Sequence, residues 1–383
     1  MMKLFNINSF IILSSLIIAT IALVYFRITM NGHEESFKTI NLNDCKDSFS
    51  SSNRLVTFEL INSRLFDSLS FSARQHYSLD YLEIESKRIA ECLKKRADSS
   101  RCYSFKADVV HSKEVYREED MVMKYPHPYH VILNNPDACS SDPQILIGTP
   151  VGPRQFLERM GTRHSWGSVR NVDGIRVKHL FFAGQDENDP EGDRLLREEN
   201  EYYHDIIQFD MKNHFMNLTL LAILTYNWTD YYCPNIQYYV RVDNDMWFNP
   251  SSYIKDVLTI QRNYSILGYL IASGRPLRFP SSRYYLPHRV YPKDTFPPYF
   301  SGCFVTLTRD VLPVAVNTSA TMDSLLYFDD VFLGQVAEKK GIQLLPFNDS
   351  KVAFSPVPFI YIHSLWAIHR MSPADRMALW LLR

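Results

Sequence analysis

Two carboxylates one residue apart, Asp243 and Asp245, follow the apolar run Tyr238-Tyr239-Val240-Arg241-Val242 and precede Met246-Trp247-Phe248. A strand turns alternate side chains to one face, so both carboxylates can point the same way from a strand end. Hard oxygen ligands suit Mg²⁺ or Mn²⁺, and an ion held by one or two carboxylates keeps positions open for phosphate oxygens. The chemistry this spacing predicts is a divalent metal carrying a sugar nucleotide. An Asp-x-Asp tripeptide arises about once by chance in a chain of this size. Here it is the only one, set between a β-rich run and a helix start at Pro250-Ser251.

Other groups could converge on that point. Asp329-Asp330-Val331 follows the apolar run Leu325 to Phe328 and opens a predicted helix, where one Asp could equally be an ordinary N-cap. His363 and His369 lie in an aromatic C-terminal segment and could be ligands or hydrogen-bonded packing residues. Pro297-Pro298-Tyr299-Phe300-Ser301-Gly302 reads as a rigid turn, and Arg159, Arg163 and Trp166 belong to a helix and its exit.

The elements that must position these residues read as an α/β domain with a mostly parallel, helix-covered sheet. Ile145 to Pro150 is an apolar run closed by turn formers, as expected of a buried first strand, so the domain is placed at 141–383. A helix with Phe156, Leu157 and Met160 follows, then a strand at Val177 to Phe182, a helix around Leu195 to Tyr203 and a strand at Asp205 to Gln208. That alternation predicts βαβ units. Ligands in such sheets bind at the carboxyl ends of strands, which is where Asp243 to Asp245 falls. Residues 27–140 read as a stem whose upper part is structured, with Leu82, Ile84, Ile89, Cys92 and Leu93 at roughly helical spacing.

The chain has 383 residues, is 46% hydrophobic and carries a net charge of −1, so neither disorder nor affinity for nucleic acid is indicated. Residues 10–26 hold no charge and are bracketed by Lys3 and Arg27. At 1.5 Å per residue they would span about 26 Å, suited to a thin bilayer early in the secretory pathway. An uncleaved signal-anchor is expected, with a cytosolic tail at 1–9 and the remainder lumenal; a cleaved signal peptide is the rival. Sequons at Asn217, Asn227, Asn263, Asn317 and Asn348 agree with a lumenal placement. Six cysteines, Cys45, Cys92, Cys102, Cys139, Cys233 and Cys303, permit up to three disulfides of undetermined connectivity.

Taken in order, these stretches resemble the inverting β1,3-galactosyltransferase-like family, which includes β1,3-N-acetylglucosaminyltransferases and, distantly, Fringe-type enzymes. Arg159-Met-Gly-Thr-Arg163-His-Ser165-Trp166-Gly167 is similar to R-x-x-I-R-x-T-W-G, and Phe181 to Gly184 to F-L-L-G. Glu199 to Ile207 is similar to E-x-x-x-Y-x-D-I-I, and Asn217 to Leu220 to the start of N-L-T-L-K-T. Asp243-Asn244-Asp245 stands where the family has D-D-D, Pro297 to Gly302 where it has P-P-Y-C-S-G, Asp329-Asp330-Val331 where it has E-D-V, and His369 to Pro373 where it has H-Q-I-S-P.

The resemblance implies a GT-A fold, a Mn²⁺-dependent UDP-sugar donor, a glycan acceptor, inversion at the anomeric carbon and a place in the Golgi membrane as a single-pass type II protein. It implies Asp330 as the base that deprotonates the acceptor hydroxyl. It implies Asp245 and His369, with Asp243, as metal ligands, Asp243 and Asn244 nearer the nucleoside, and Thr149, Arg154 and Arg163 as further nucleotide contacts. The family pattern is broken where Leu221-Ala222 replaces a lysine and a threonine, where Phe300 and Val336 stand in place of cysteines, and where Cys303-Phe304 replaces a Gly-rich turn. The changes at Leu221-Ala222 and Cys303-Phe304 are the ground for a rival reading, a non-catalytic lumenal glycan-binding protein or chaperone.

Overall fold

The computed structural model of the protein describes residues 70–95, 102–103, 122–123, 129–258, 262–322 and 325–383. The expected tail and membrane segment, Cys45 and most of the stem lie outside them. Among the described residues no helix is long and apolar enough to cross a membrane.

The main sheet is formed by β1 (Val131–Leu133), β2 (Ile145–Val151), β3 (Ile175–Gln185), β4 (Ile206–Lys212), β5 (Tyr238–Val242), β6 (Ser265–Ile271), β7 (Tyr299–Thr308) and β8 (Gln343–Pro346). The spatial order is β8-β6-β7-β5-β2-β3-β4-β1, with the short strand Asn171–Val172 beside β3. The helices are α1 (Phe71–Lys95), α2 (Phe156–Arg163), α3 (Pro190–Tyr203), α4 (Leu218–Tyr232), α5 (Val311–Ser319), α6 (Asp329–Lys340) and α7 (Pro373–Leu381).

The central strands are buried on both faces, which is why they read as continuous apolar runs rather than alternating ones. Ile145 and Ile147 of β2, with Tyr238, Val240 and Val242 of β5, enter one core with Trp166 and Phe248. The intervening Leu146 and Tyr239 enter the opposite core with α4, α5 and α6. Alternation along a strand thus supplies two cores from one sheet.

The expectation of a mostly parallel sheet is corrected to a mixed one. From β5 through β2 and β3 to β4 the strands are parallel, each step crossing over through a helix. β7 runs antiparallel to both β5 and β6, and β1 antiparallel to β4. The physical reason is the connection: β6 returns to β7 through residues 272–298, which contain no helix to carry the chain back for a parallel pairing. The sheet also begins before residue 141, since β1 pairs with β4.

The helix expected in the upper stem is α1, which packs against α7 and α2. Leu82, Ile89 and Leu93 are buried there, but Ile84, expected on the same face, is 62% exposed because it falls off the stripe that meets the fold. Disulfides join Cys92 to Cys102 and Cys139 to Cys233, while Cys303 is free and buried. Asn227, Asn263, Asn317 and Asn348 are exposed and Asn217 is half-buried.

Candidate active site

β2 is flanked by β3 on one side and β5 on the other, so the strand order reverses at β2, and a ligand site is expected beyond the carboxyl ends there. At the end of β5 the Asp243 amide donates to the Cys303 carbonyl of β7 (2.9 Å), and the Met246 amide donates back to the Asp243 carbonyl (3.1 Å). Asp243, Asn244 and Asp245 therefore lie on a turn. The carboxylates converge through that turn, a correction to the expectation that strand alternation alone would aim them.

A second local pairing brings in the histidine. Trp247–Phe248 pairs antiparallel with Ala367–Ile368, with Ile368 opposite Trp247, so the next residue along, His369, comes level with Met246 and its side chain reaches the neighbouring Asp245. Its Nε2 lies 3.2 Å from Asp245 Oδ1, and the Met371 amide donates to the Asp245 carbonyl at 2.8 Å. One ligand atom each from Asp243, Asp245 and His369 lie within 4.8 Å of one another. Two carboxylates and an imidazole, partly open to solvent, fit a hard or borderline divalent cation. His363 is instead exposed on the turn Phe359–Ser364, with its ring against Phe359.

Arg241, a lone charge in the apolar strand β5, ties this corner to α6. Its Nε and Nη2 donate to Asp243 Oδ1 at 3.2 and 3.1 Å, and its Nη1 pairs with Asp329. Asp329 and Asp330 are the first two residues of α6, and the N-cap is Phe328, so neither aspartate caps the helix. Their charge in the first turn is favoured by the helix dipole. Asp330 Oδ1 accepts from the Val331 amide at 2.7 Å. Gly302 of β7 passes so near that a Cβ there would lie 3.3 Å from the Asp330 Cβ. The glycine keeps strand and helix start in contact.

Burial pushes the Asp330 carboxyl up, opposed by the Val331 amide and the charge of Arg241. Asp243 is also raised by burial, with the Asp245 charge adding to it and Arg241 opposing. At His369 burial acts downward, but the hydrogen bond and charge of Asp245 and the charge of Asp243 outweigh it, and the net direction is up. Four carboxylates share one arginine and one histidine here. A site so rich in acid favours a bound cation.

The remaining predicted residues are spread around this centre. Asn244 donates to Gln155 Oε1 at 2.7 Å, holding the turn to the entry of α2. Arg154 pairs with Asp189 at the start of α3 (Nη2 to Oδ1, 2.6 Å) and is partly exposed. Thr149 is fully buried, 3.0 Å from His179 Nε2. All three guanidinium nitrogens of Arg163 are spent on Glu199 and Asp205. The side-chain polar atoms of Thr149 and Arg163 thus already have partners within the fold.

Sequence reasoning missed Arg241 and Arg376. The signal for Arg241 was a single cation inside an otherwise apolar strand. Arg376, fully buried on α7, donates to the Glu158 carbonyl (2.8 Å), the Met371 carbonyl (3.0 Å) and the Asn244 carbonyl. Nothing in its local sequence marks that reach.

A sequence profile described as Galactosyltransferase matches residues 158–347, which include Asp243, Asp245 and Asp330. The chain belongs to the galactosyltransferase family. Beta-1,3-galactosyltransferase 1 of Mus musculus is 29% identical over 262 residues, 67% of this chain and 78% of that protein. Lactosylceramide 1,3-N-acetyl-beta-D-glucosaminyltransferase of Xenopus tropicalis is 30% identical over 224 residues, 56% of this chain and 59% of that protein. A solved glycosyltransferase involved in glycosylation of the major capsid of PBCV-1 aligns with 61% of this chain and 98% of its own at 9% identity and a TM-score of 0.36, too loose a likeness for any conclusion about residues. In this galactosyltransferase-family chain β2 and His369 lie outside the matched span, and local strand pairing brings both to the site.

Proposed function

We propose that the protein is an inverting glycosyltransferase of GT-A type that moves a hexose, galactose foremost, from a UDP-sugar in β1,3 linkage to a glycan on a glycoprotein or glycolipid. The observation that carries this reading is the cluster of Asp243, Asp245 and His369, tied through the buried Arg241 to Asp329, the neighbour of Asp330 at the start of α6.

Asp243, Asp245 and His369 would hold Mn²⁺. The ion supplies neutralisation of charge on the departing diphosphate. Asp330 takes the proton of the acceptor hydroxyl as that oxygen bonds to the anomeric carbon and the bond from that carbon to UDP breaks on the opposite face, which inverts the configuration. Arg241 holds Asp243 and Asp329 in register, so the metal side and the base side keep their spacing. Asn244, fixed by Gln155, lines the nucleotide side, and Arg154 is the remaining candidate there. The segment 10–26 would anchor the chain in the Golgi membrane with this domain lumenal.

A non-catalytic glycan-binding or chaperone role is the reading favoured by one feature, the apolar wall of Leu218, Leu221 and Ala222 in the small cavity that Arg241 and Asp329 also line. One screen separates the two. The purified lumenal portion is given Mn²⁺, a panel of UDP-sugars and glycosides, and UDP release is measured. Transfer from one donor, lost in Asp245→Ala together with metal-dependent UDP binding, is expected. Silence across the panel with glycan binding intact would establish the non-catalytic reading.

A further inference from the structure

Between β6 and β7 the chain runs through residues 272–298 without a helix or a strand, a length at which loops in compact domains are functional more often than connecting. This one is braced from within. Arg278 donates to the carbonyls of Leu286 (2.6 Å), Tyr291 (2.9 Å) and Lys293 (2.8 Å), and the Phe296 amide donates to the Gly274 carbonyl at 2.8 Å. Leu286, Tyr291 and Phe296 form a core of their own with Leu326, Tyr327 and Val331, apart from the two cores of the sheet. Tyr327 also donates to the Tyr285 carbonyl at 3.0 Å. The loop is thereby fastened to the residues that lead into Asp330.

A run of rings leads from that small core to the surface. Phe215 contacts Tyr284 (centroids 5.5 Å apart), Tyr284 stacks on Phe328 (6.3 Å), Phe328 meets Phe296 (6.1 Å), and Phe296 meets Tyr299 (6.0 Å). Tyr284, the second ring of the run, is 47% exposed with Phe215 and Phe328 half-buried beside it, and the run ends at Tyr299, whose hydroxyl is pushed up first by burial and then by the charge of Asp330. Arg283 lies across Phe215 at 4.0 Å and Tyr284 at 5.4 Å, and its guanidinium pairs with no carboxylate among the described residues. Exposed aromatic surface held open by a braced loop marks a binding face.

We propose that Phe215, Tyr284 and Phe328, with Arg283 above them, are the platform on which the acceptor glycan rests as its hydroxyl is offered to Asp330. This deepens the glycosyltransferase reading and rests on it. A pyranose is amphipathic: one face presents polarised C–H groups, which the negative face of an aromatic ring attracts, and its rim presents hydroxyls. The guanidinium is a fork of donors for those hydroxyls. Phe328 and Asp330 are two residues apart at one helix start, and Tyr299, at the end of the run of rings, is close enough to Asp330 to feel its charge. A protein partner would use the apolar rings but would want a carboxylate for Arg283, and the test separates that occupant.

The experiment uses the folded protein with Mn²⁺ and its donor, with methyl β-galactoside and methyl β-N-acetylglucosaminide as acceptor probes. Tyr284→Ala is expected to raise the KM of the acceptor about threefold to tenfold, while donor KM and slow UDP release without acceptor stay at wild-type values and Tyr284→Phe restores the acceptor KM. Arg283→Ala is expected to act in the same direction. An unchanged acceptor KM in Tyr284→Ala overturns the proposal, as does equal loss of donor-only UDP release, which would mean a structural role. Disruption of self-association with acceptor KM unchanged would assign the face to a protein contact and also overturn it. If no donor is turned over at all, the glycosyltransferase reading fails on its own; direct titration of the two glycosides then decides the platform, with binding lost in Tyr284→Ala supporting it and no binding to the wild type overturning it.

Discussion

The molecule holds two buried clusters of charge, and they are built on opposite principles. Between α2 and α3, Arg159 and Arg163 face Glu199 and Asp205: two cations, two carboxylates, every guanidinium nitrogen occupied. Arg159 reaches both oxygens of Glu199 (2.8 and 2.7 Å) and the carbonyls of Gly152 and Pro153 (2.7 and 2.9 Å). Arg163 lies over the Tyr203 ring at 3.8 Å. At the ends of β5 and α6, four carboxylates share Arg241 and His369. The first cluster is complete without a ligand and fixes the loop after β2. The second is short of positive charge, which is the condition of a site that receives a cation. A buried arginine in a functional neighbourhood is therefore read by whether its partners are satisfied, since a neutral, saturated network is scaffold and a carboxylate surplus is an invitation.

The sharpest division between them is at Asp330. Asp330→Asn keeps the shape of the side chain but cannot accept the acceptor proton, so transfer is expected to fall by about 10² to 10⁴, with thermal midpoint and Mn²⁺-dependent UDP affinity near wild type. Asp329→Asn is the control for the neighbouring carboxylate. Near-normal turnover in Asp330→Asn alongside a dead Asp329→Asn would move the base by one residue.

The balanced cluster makes the reverse forecast. Glu199→Gln leaves two buried guanidinium groups short of charge, a break that typically costs about 3–5 kcal/mol. Chemical denaturation should show that loss, while UDP affinity per folded molecule is unchanged. A stable Glu199→Gln protein with weakened UDP binding would transfer this cluster from scaffold to site.

Arg241 belongs to the unbalanced cluster as the arginine whose guanidinium pairs with its carboxylates, and its removal is read in pH. Burial already raises Asp330 and the Arg241 charge holds it down, so Arg241→Met raises it further. The base works ionised, hence transfer rises with pH as Asp330 loses its proton, and the acidic limb of kcat/KM should move to higher pH in Arg241→Met and remain near wild type in Arg241→Lys. An unmoved limb would detach Arg241 from Asp330.

The smallest effect is expected at Arg154, on the edge between the clusters. Its exposed pair with Asp189 is worth at most about 1 kcal/mol, so Arg154→Ala should barely alter stability. A severalfold loss of UDP affinity is the outcome if it contacts the nucleotide, and wild-type affinity would leave the turn at Asp243 to Asp245 to hold the donor without it.

What could be read ahead of the structure was local. The apolar runs of β2, β3 and β4 were legible because strands buried on both faces leave an unbroken hydrophobic signature, and the spacing of Asp243 and Asp245 pointed to one place, where the structure gathers them with His369. What depended on pairing was not legible. The antiparallel run of β7 follows from a loop with no periodicity. The choice of His369 over His363 follows from a two-residue strand, Ala367–Ile368, too short to carry a pattern. Ile84 was misjudged because helical spacing defines a stripe only once the surface it meets is known. Thr149 and Arg163 sit at the right places in the chain, but the partners that their polar atoms meet, His179, Glu199 and Asp205, are 30 to 42 positions away.

The pairing of His369 with Asp245 also sets a schedule. The two are 124 positions apart in the chain, and a growing polypeptide emerges from its amino end at about 5–20 residues per second. β1 through β5, the helices between them and the bond between Cys139 and Cys233 can all form while the histidine is still unmade. The cluster of Asp243, Asp245 and His369 can close only after that long loop has been drawn in, and closure of a loop this size costs entropy that local contacts cannot offset early. A nascent chain thus acquires its scaffold first and the cluster of Asp243, Asp245 and His369 last, so that an unfinished product carries part of the sheet without that cluster.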